Sequence, residues 1–405
     1  MNEGSLARDH KFRLFILYRL CLTLAIQVES VGVAWHVYDR TRNPLYLGYV
    51  GLAIFLPNLI SALPAGRLAD LYPRRTIMIG TLGLLFLGTT SLIVSTLWEG
   101  GGLYHLYGTF VLIGFARAFS NPASSSYLPQ LVTGERLSQA VAFSSTTFQL
   151  ATIIGPAVAG LIFGMNGGHL TNVYAVALVL FVMAIVCLSL LPTFAPPLQT
   201  RKIELLAGLY YVWENKMVLG AISLDLFAVL LGGAVALLPV YAREILHVGP
   251  EGLGYLRSAP AVGAAITALF IAFRPLRKRV GLVMLWAVGL FGAFTVAFGL
   301  SDHFALSLGC LAMLGATDMI SVVVRQTLIQ VHTPDAMRGR VSAVNMVFIG
   351  ASNELGEFES GVTASLFGTV PAVVFGGLGT IAVVCLWAVS FPVLRRANDF
   401  HTLPK

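Results

Sequence analysis

The sequence predicts an all-α integral membrane protein, with twelve transmembrane helices in two pseudo-symmetric six-helix bundles. Three observations lead there. The 405 residues are 57% hydrophobic and only 11% charged, whereas soluble domains run near about a quarter charged. Apolar runs long enough to cross a bilayer recur along the chain, and the Lys and Arg residues gather in alternate loops. Short motifs also recur about half a chain length apart.

The apolar runs place spans near 14–38, 46–70, 76–97, 104–127, 139–164, 172–191, 217–241, 252–273, 280–300, 304–330, 341–367 and 371–394. Each reaches about 30 Å as a helix. Lipid offers no water to backbone polar groups, so spans of this length without strict alternation are helices and not barrel strands. The first run is too long for the apolar core of a cleaved signal peptide.

The basic residues set the orientation. With both termini inside, nineteen Lys and Arg lie on the inner side, four on the outer side (Arg40, Arg42, Arg243 and Arg257), and Arg19, Arg117 and Arg325 lie deeper within spans. Basic residues favour the cytoplasmic side. The expected location is therefore a bacterial cytoplasmic (inner) membrane, multi-pass, with both termini cytoplasmic. The net charge of +7 then faces anionic membrane lipid, not nucleic acid.

A polar stretch divides the chain into an N-terminal bundle (1–191), a cytoplasmic linker (192–216) and a C-terminal bundle (217–405). Leu47-Gly48-Tyr49 opens the second span and Leu253-Gly254-Tyr255 the eighth. Arg74-Arg75 follows the second span and Arg277-Lys278-Arg279 the eighth. Thr133-Gly134-Glu135-Arg136 precedes the fifth span, and Thr333-Pro334-Asp335-Ala336 the eleventh. Three matches in consistent order read as a duplicated unit.

The loop after the second span reads Gly66-Arg67-Leu68-Ala69-Asp70-Leu71-Tyr72-Pro73-Arg74-Arg75. It resembles the loop signature of the major facilitator superfamily, with Pro73 in place of the usual second Gly. The fifth span holds Gly155-Pro156-Ala157-Val158-Ala159-Gly160, similar to a helix element found mainly in that superfamily's exporters. The stretch 333–341, with Arg117-Ala118-Phe119-Ser120-Asn121-Pro122, looks like its enterobactin-exporter-like efflux branch. The resemblance implies alternating access, a conformational latch at Gly66, Asp70, Arg74 and Arg75, an export-type element at Gly155, Pro156 and Gly160, and a cavity lined by spans 1, 4, 7 and 10.

Those four spans carry buried ionisable residues: Glu29, Arg117, Asp225, and Asp318 with Arg325. A charge in hydrocarbon is costly and normally faces a wet cavity or a partner. Arg117 can pair with a carboxylate or grip an anionic solute group bidentately. Glu29 is the candidate proton carrier. Asp318 and Arg325, seven apart, share a helix face without touching. Arg19 lies near the inner face, where it is expected to snorkel. In span 11, Glu354 and Glu357 are three apart and roughly co-facial. They could carry protons, bind a cation or organise a gate, and a purely structural network between helices is the rival reading.

The remaining residues exclude other chemistry. The four cysteines lie in apolar runs and read as core residues. The eight histidines show no metal-binding spacing, so no metal and no cofactor is expected. No Walker A motif is present, and no nucleophile–base constellation suggests an enzyme. The expected function is export of a small organic solute, siderophore-like or drug-like, by a monomer that exchanges it for protons. The alternatives are an importer or facilitator of a polar solute, or a non-transport receptor or scaffold.

Overall fold

A computed structural model of the chain describes residues 9–98, 102–132, 134–165, 169–195, 205–276 and 278–400, apart from the side chains at 62, 63, 66, 67, 69, 70, 121, 135, 138, 205, 206, 335 and 336. Among the described residues the regular structure is helical throughout, with no strand. The helices are α1 (His10–Thr41), α2 (Pro44–Leu71), α3 (Arg74–Leu97), α4 (Leu103–Leu131), α5 (Leu137–Met165), α6 (Leu170–Ser189), α7 (Leu205–Glu214), α8 (Lys216–Leu231), α9 (Leu238–Val240), α10 (Gly249–Phe273), α11 (Val280–Gly299), α12 (Phe304–Val331), α13 (Asp335–Phe367), α14 (Thr369–Ser390) and α15 (Pro392–Arg395).

Ten stretches among the described residues are long and apolar enough to cross a membrane. The other two expected spans, α4 with 29 residues and α13 with 33, match them in length. They carry Arg117 and the Glu354–Glu357 pair, which lower their apolarity. Several helices overrun the apolar limits, as α1 does by a few residues at each end, because helix continues into the polar flanks.

Two elements depart from the sequence reading. The expected linker ends in α7, where Val212 is buried among Val218, Ile222, Ile329, Val341 and Val344. Its hydroxyl-bearing neighbour Tyr211 hydrogen-bonds the His332 carbonyl at 2.5 Å. Asn215 then caps α8, accepting from the Met217 and Val218 amides at 3.2 Å each. The seventh span is broken: α8 stops at Leu231, and the chain continues through Gly232-Gly233 into a short 3₁₀ turn, α9 and a π turn ending at Ile245.

The chain forms two compact units. The first comprises Met1–Asp39, Leu52–Thr200 and Pro250–Ser258. In it α3 packs against both α4 and α6, and α1 is tied to α6 by the 3.1 Å hydrogen bond between His36 Nδ1 and Tyr174. The second comprises Arg40–Gly51, Arg201–Gly249 and Ala259–Lys405. There α11 packs between α12 and α14, and α13 runs along α7 and α8. Lipid tails are as apolar as leucine, so buried residues such as Leu224, Met284, Val324 and Leu328 stabilise the unit through close contact rather than escape from water.

Each unit also contains a glycine-on-glycine helix crossing, and the repeated Leu-Gly-Tyr motifs supply one side of each. In the first unit, a Cβ on Gly254 of α10 would stand 2.6 Å from the Pro156 carbonyl oxygen and 2.7 Å from the Gly160 Cα of α5. In the second, a Cβ on Gly361 of α13 would stand 2.9 Å from the Gly48 Cα of α2, and one on Gly48 would stand 3.0 Å from the Phe358 carbonyl. Only a missing side chain permits such approach.

Alanine substitution should therefore rank by clearance. Gly254→Ala should destabilise most, by about 1–3 kcal/mol as an overpacked contact, and Gly48→Ala less. Gly80→Ala, with nothing within 4 Å, should be neutral or stabilising. Thermal unfolding of the purified variants checks the order, and three equal values would refute the crossing geometry.

Candidate functional site

In the first unit the site begins at Glu29, which is 2% exposed on α1. Its neighbour is Thr89 on α3, whose hydroxyl lies 2.9 Å from Glu29 Oε1 and 3.0 Å from the Leu85 carbonyl. A hydroxyl has one proton to donate. When Glu29 is ionised, Thr89 donates to it. When Glu29 carries a proton, Glu29 donates to Thr89 Oγ1 and Thr89 turns its own proton to Leu85. The geometry therefore serves both charge states of the carboxyl group without moving a helix.

Arg117, on α4, lies within electrostatic range of Glu29, yet no direct ion pair joins them among the described residues. Arg117 Nε and Glu29 Oε2 are both buried without a hydrogen-bond partner. Each of these atoms has hydrogen-bonding capacity that no described residue fills. Arg19, half-buried on α1, donates from Nη1 to Ser124 Oγ on α4 at 3.2 Å, and its Nε is buried. The export-type element touches the same region, since Gly155 of α5 faces the Gln27 side chain of α1.

The second unit pairs its charges directly. Asp225 on α8 is 5% exposed and Arg325 on α12 is 3% exposed, and Arg325 Nη1 donates to Asp225 Oδ2. Asp318, two turns earlier on α12, has no hydrogen-bond or ion-pair partner among the described residues. It borders a small cavity shared with Asp225, Ala228, Val229, Val288, Phe291 and Ser321.

Glu354 and Glu357 lie elsewhere, at the contact of α13 with α2. A Cβ on Gly51 would stand 3.1 Å from Glu357 Oε2 and 3.2 Å from the Glu354 carbonyl. Gly356 between them faces the Val229 and Leu230 carbonyls near the end of α8, each 3.0 Å from an added Cβ.

Of the loop residues, the side chains of Gly66 and Asp70 lie outside the described residues. Arg74 Nη1 donates to the Ser126 carbonyl at 2.8 Å. Arg75 donates to the Leu188 carbonyl at 3.0 Å, to Thr193 Oγ1 at 2.6 Å and to the Ser189 carbonyl. A cation is favoured at the carbonyl end of a helix, and Arg75 caps α6 in this way.

Sequence reasoning missed Thr89, Ser321 and the Asp225–Arg325 pair. Ser321 had a signal: it sits three residues after Asp318 and four before Arg325, on one helical stripe. Thr89 had none, because its partner is 60 residues away on another helix.

The family described as transmembrane secretion effector matches residues 5–402. The enterobactin exporter EntS of Escherichia coli O1:K1 / APEC is 28% identical over 98% of this chain and 95% of its own length. Among solved structures, a POT family transporter in complex with 5-aminolevulinic acid covers 97% of this chain and 98% of its own, with TM-score 0.75 and 11% identity. A bacterial homologue of the human lysosomal transporter Spinster covers the same shares at TM-score 0.72 and 13% identity. At these identities the two structures establish the fold alone. With this family match across nearly its whole length, the chain belongs to the transmembrane secretion effector family of the major facilitator superfamily.

Proposed function

We propose that this protein is a secondary active exporter of a small organic solute, siderophore-like or drug-like, driven by proton antiport. The halves 1–191 and 217–405 alternate access about the linker 192–216. The chain works as a monomer in a bacterial inner membrane, with both termini in the cytoplasm. The observation that carries this reading is the set of buried ionisable groups in spans 1, 4, 7 and 10, which includes unsatisfied polar atoms on Glu29 and Arg117. Likeness to the enterobactin exporters over nearly the full chain supports the outward direction.

Glu29 is the proton carrier and Arg117 the anion-binding group. With Glu29 ionised, Arg117 is its counter-charge through space. A cationic or hydrogen-bond-donating group of the solute competes with the proton for the Glu29 carboxylate, while Arg117 holds an anionic group. Proton and solute thereby exclude one another at Glu29, as exchange requires. Charge movement adds driving force, since each positive charge crossing the membrane potential contributes about 2.3 kcal/mol per 100 mV. Trp and Asn are sparse near the span centres, so the site suits a polar amphiphile better than a sugar. Gly66, Asp70, Arg74 and Arg75 form the latch on the cytoplasmic side. Glu354 and Glu357 organise the contact of α13 with α2.

In inverted vesicles with an acidified lumen, added solute should alkalinise the lumen. Further acidification, or no change while solute enters, would identify symport or facilitation instead. Arg117→Ala should insert normally and lose transport to background, and efflux at the wild-type rate would remove Arg117 from the mechanism. Glu29→Gln should bind solute but lose the dependence of transport on the proton gradient. An unchanged number of protons per solute in that variant would exclude Glu29 as the carrier.

A further inference from the structure

The cavity in the second unit combines an uncompensated charge with an idle hydroxyl. Arg325 is already engaged by Asp225, so that pair is close to neutral. Asp318 faces the same cavity with no partner among the described residues. Ser321, one turn on and 2% exposed, also lines the cavity, and its Oγ is buried with no hydrogen-bond partner. The rest of the wall is apolar: Ala228, Val229, Val288 and Phe291. The space is of the order that one water molecule needs.

Among the described residues, no second cation lines the cavity. On α11 the wall is Val288 and Phe291. On α14, Thr380 donates to the Ala228 carbonyl at 3.1 Å. On α13, Gly356 meets the Val229 and Leu230 carbonyls, and the flanking charges are Glu354 and Glu357, both acidic. Two carboxylates and one guanidinium thus leave a single negative charge in a dry wall, with three side chains able to present oxygen to a small guest.

We propose that this pocket binds one monovalent cation, held by Asp318, Ser321 and the Asp225 oxygen that Arg325 leaves free. The cation is either a proton residing on Asp318, with a water bonded to Ser321, or a bare alkali ion in the water's place. Its occupancy neutralises α12 against α8. This deepens the exporter reading by giving the C-terminal half its own coupling-ion site, separate from Glu29.

The test counts cations bound by the purified full-length protein. Proton uptake is followed with a pH-sensitive dye on acidification, and sodium uptake with radioactive sodium at alkaline pH. Wild type should take up one monovalent cation more than Asp318→Asn. Ser321→Ala, a mild change that keeps the Asp225–Arg325 pair, should keep that count but shift the affinity about tenfold, weaker for an alkali ion that loses an oxygen ligand and tighter for a proton, because the ionised Asp318 loses its hydrogen-bonded water. A difference confined to protons identifies the proton, and one seen with sodium identifies the alkali ion. Equal counts in wild type and Asp318→Asn, or an unshifted affinity in Ser321→Ala, overturn the site. Failure of solute-driven alkalinisation by the wild type would instead overturn the exporter reading and leave the cation count standing.

Discussion

A charged side chain in hydrocarbon needs a counterpart, and this molecule is arranged around that constraint. An isolated Asp or Arg at the centre of a membrane helix costs about 2.5–3.5 kcal/mol on insertion scales. The second unit meets the cost for Asp225 and Arg325 by pairing them across α8 and α12. Removing one member of such a pair typically costs about 3–5 kcal/mol, because the other is left buried and bare. The first unit does not close its charges in this way. Glu29 has a hydroxyl on one oxygen and nothing on the other, and Arg117 keeps an unsatisfied Nε. Among the described residues, one unit therefore pairs Asp225 with Arg325, while the other leaves an atom of Glu29 and one of Arg117 without a hydrogen-bond partner.

Helix crossings without side chains are the second constraint. Gly160 against Gly254 and Gly48 against Gly361 bring backbones together where any Cβ would intrude. The contact of α13 with α2 also carries Glu354 and Glu357, and Gly356 faces the broken end of α8. A change at that contact therefore bears on the helix that holds Asp225. The break at Gly232-Gly233 places non-helical backbone within a membrane segment, which is tolerated only where protein or water satisfies it.

Much of this was legible in the sequence for a physical reason. Membrane helices announce themselves by length and apolarity, and the intramembrane charges are conspicuous against that background. The glycines of the two Leu-Gly-Tyr repeats, Gly48 and Gly254, both sit at helix crossings. What stayed hidden was pairing. Arg325 shares a helical face with Asp318, which drew attention to its own helix, yet its partner is Asp225, 100 residues away. Partners across helices depend on rotation and register, and hydropathy encodes neither. The helix α7 was hidden for another reason: it follows a Pro-rich polar stretch, and its apolar residues are too few to register as a span.

The central claim is that these buried charges line an interior that water reaches during a transport cycle. Its most direct test is thiol labelling in a background where the four native cysteines are replaced. Glu29→Cys, Arg117→Cys and Asp318→Cys would be exposed to a membrane-impermeant thiol reagent from each side in turn. The account predicts modification of each from at least one side, with the rate altered by solute. Three thiols sealed from both compartments under every condition would contradict it.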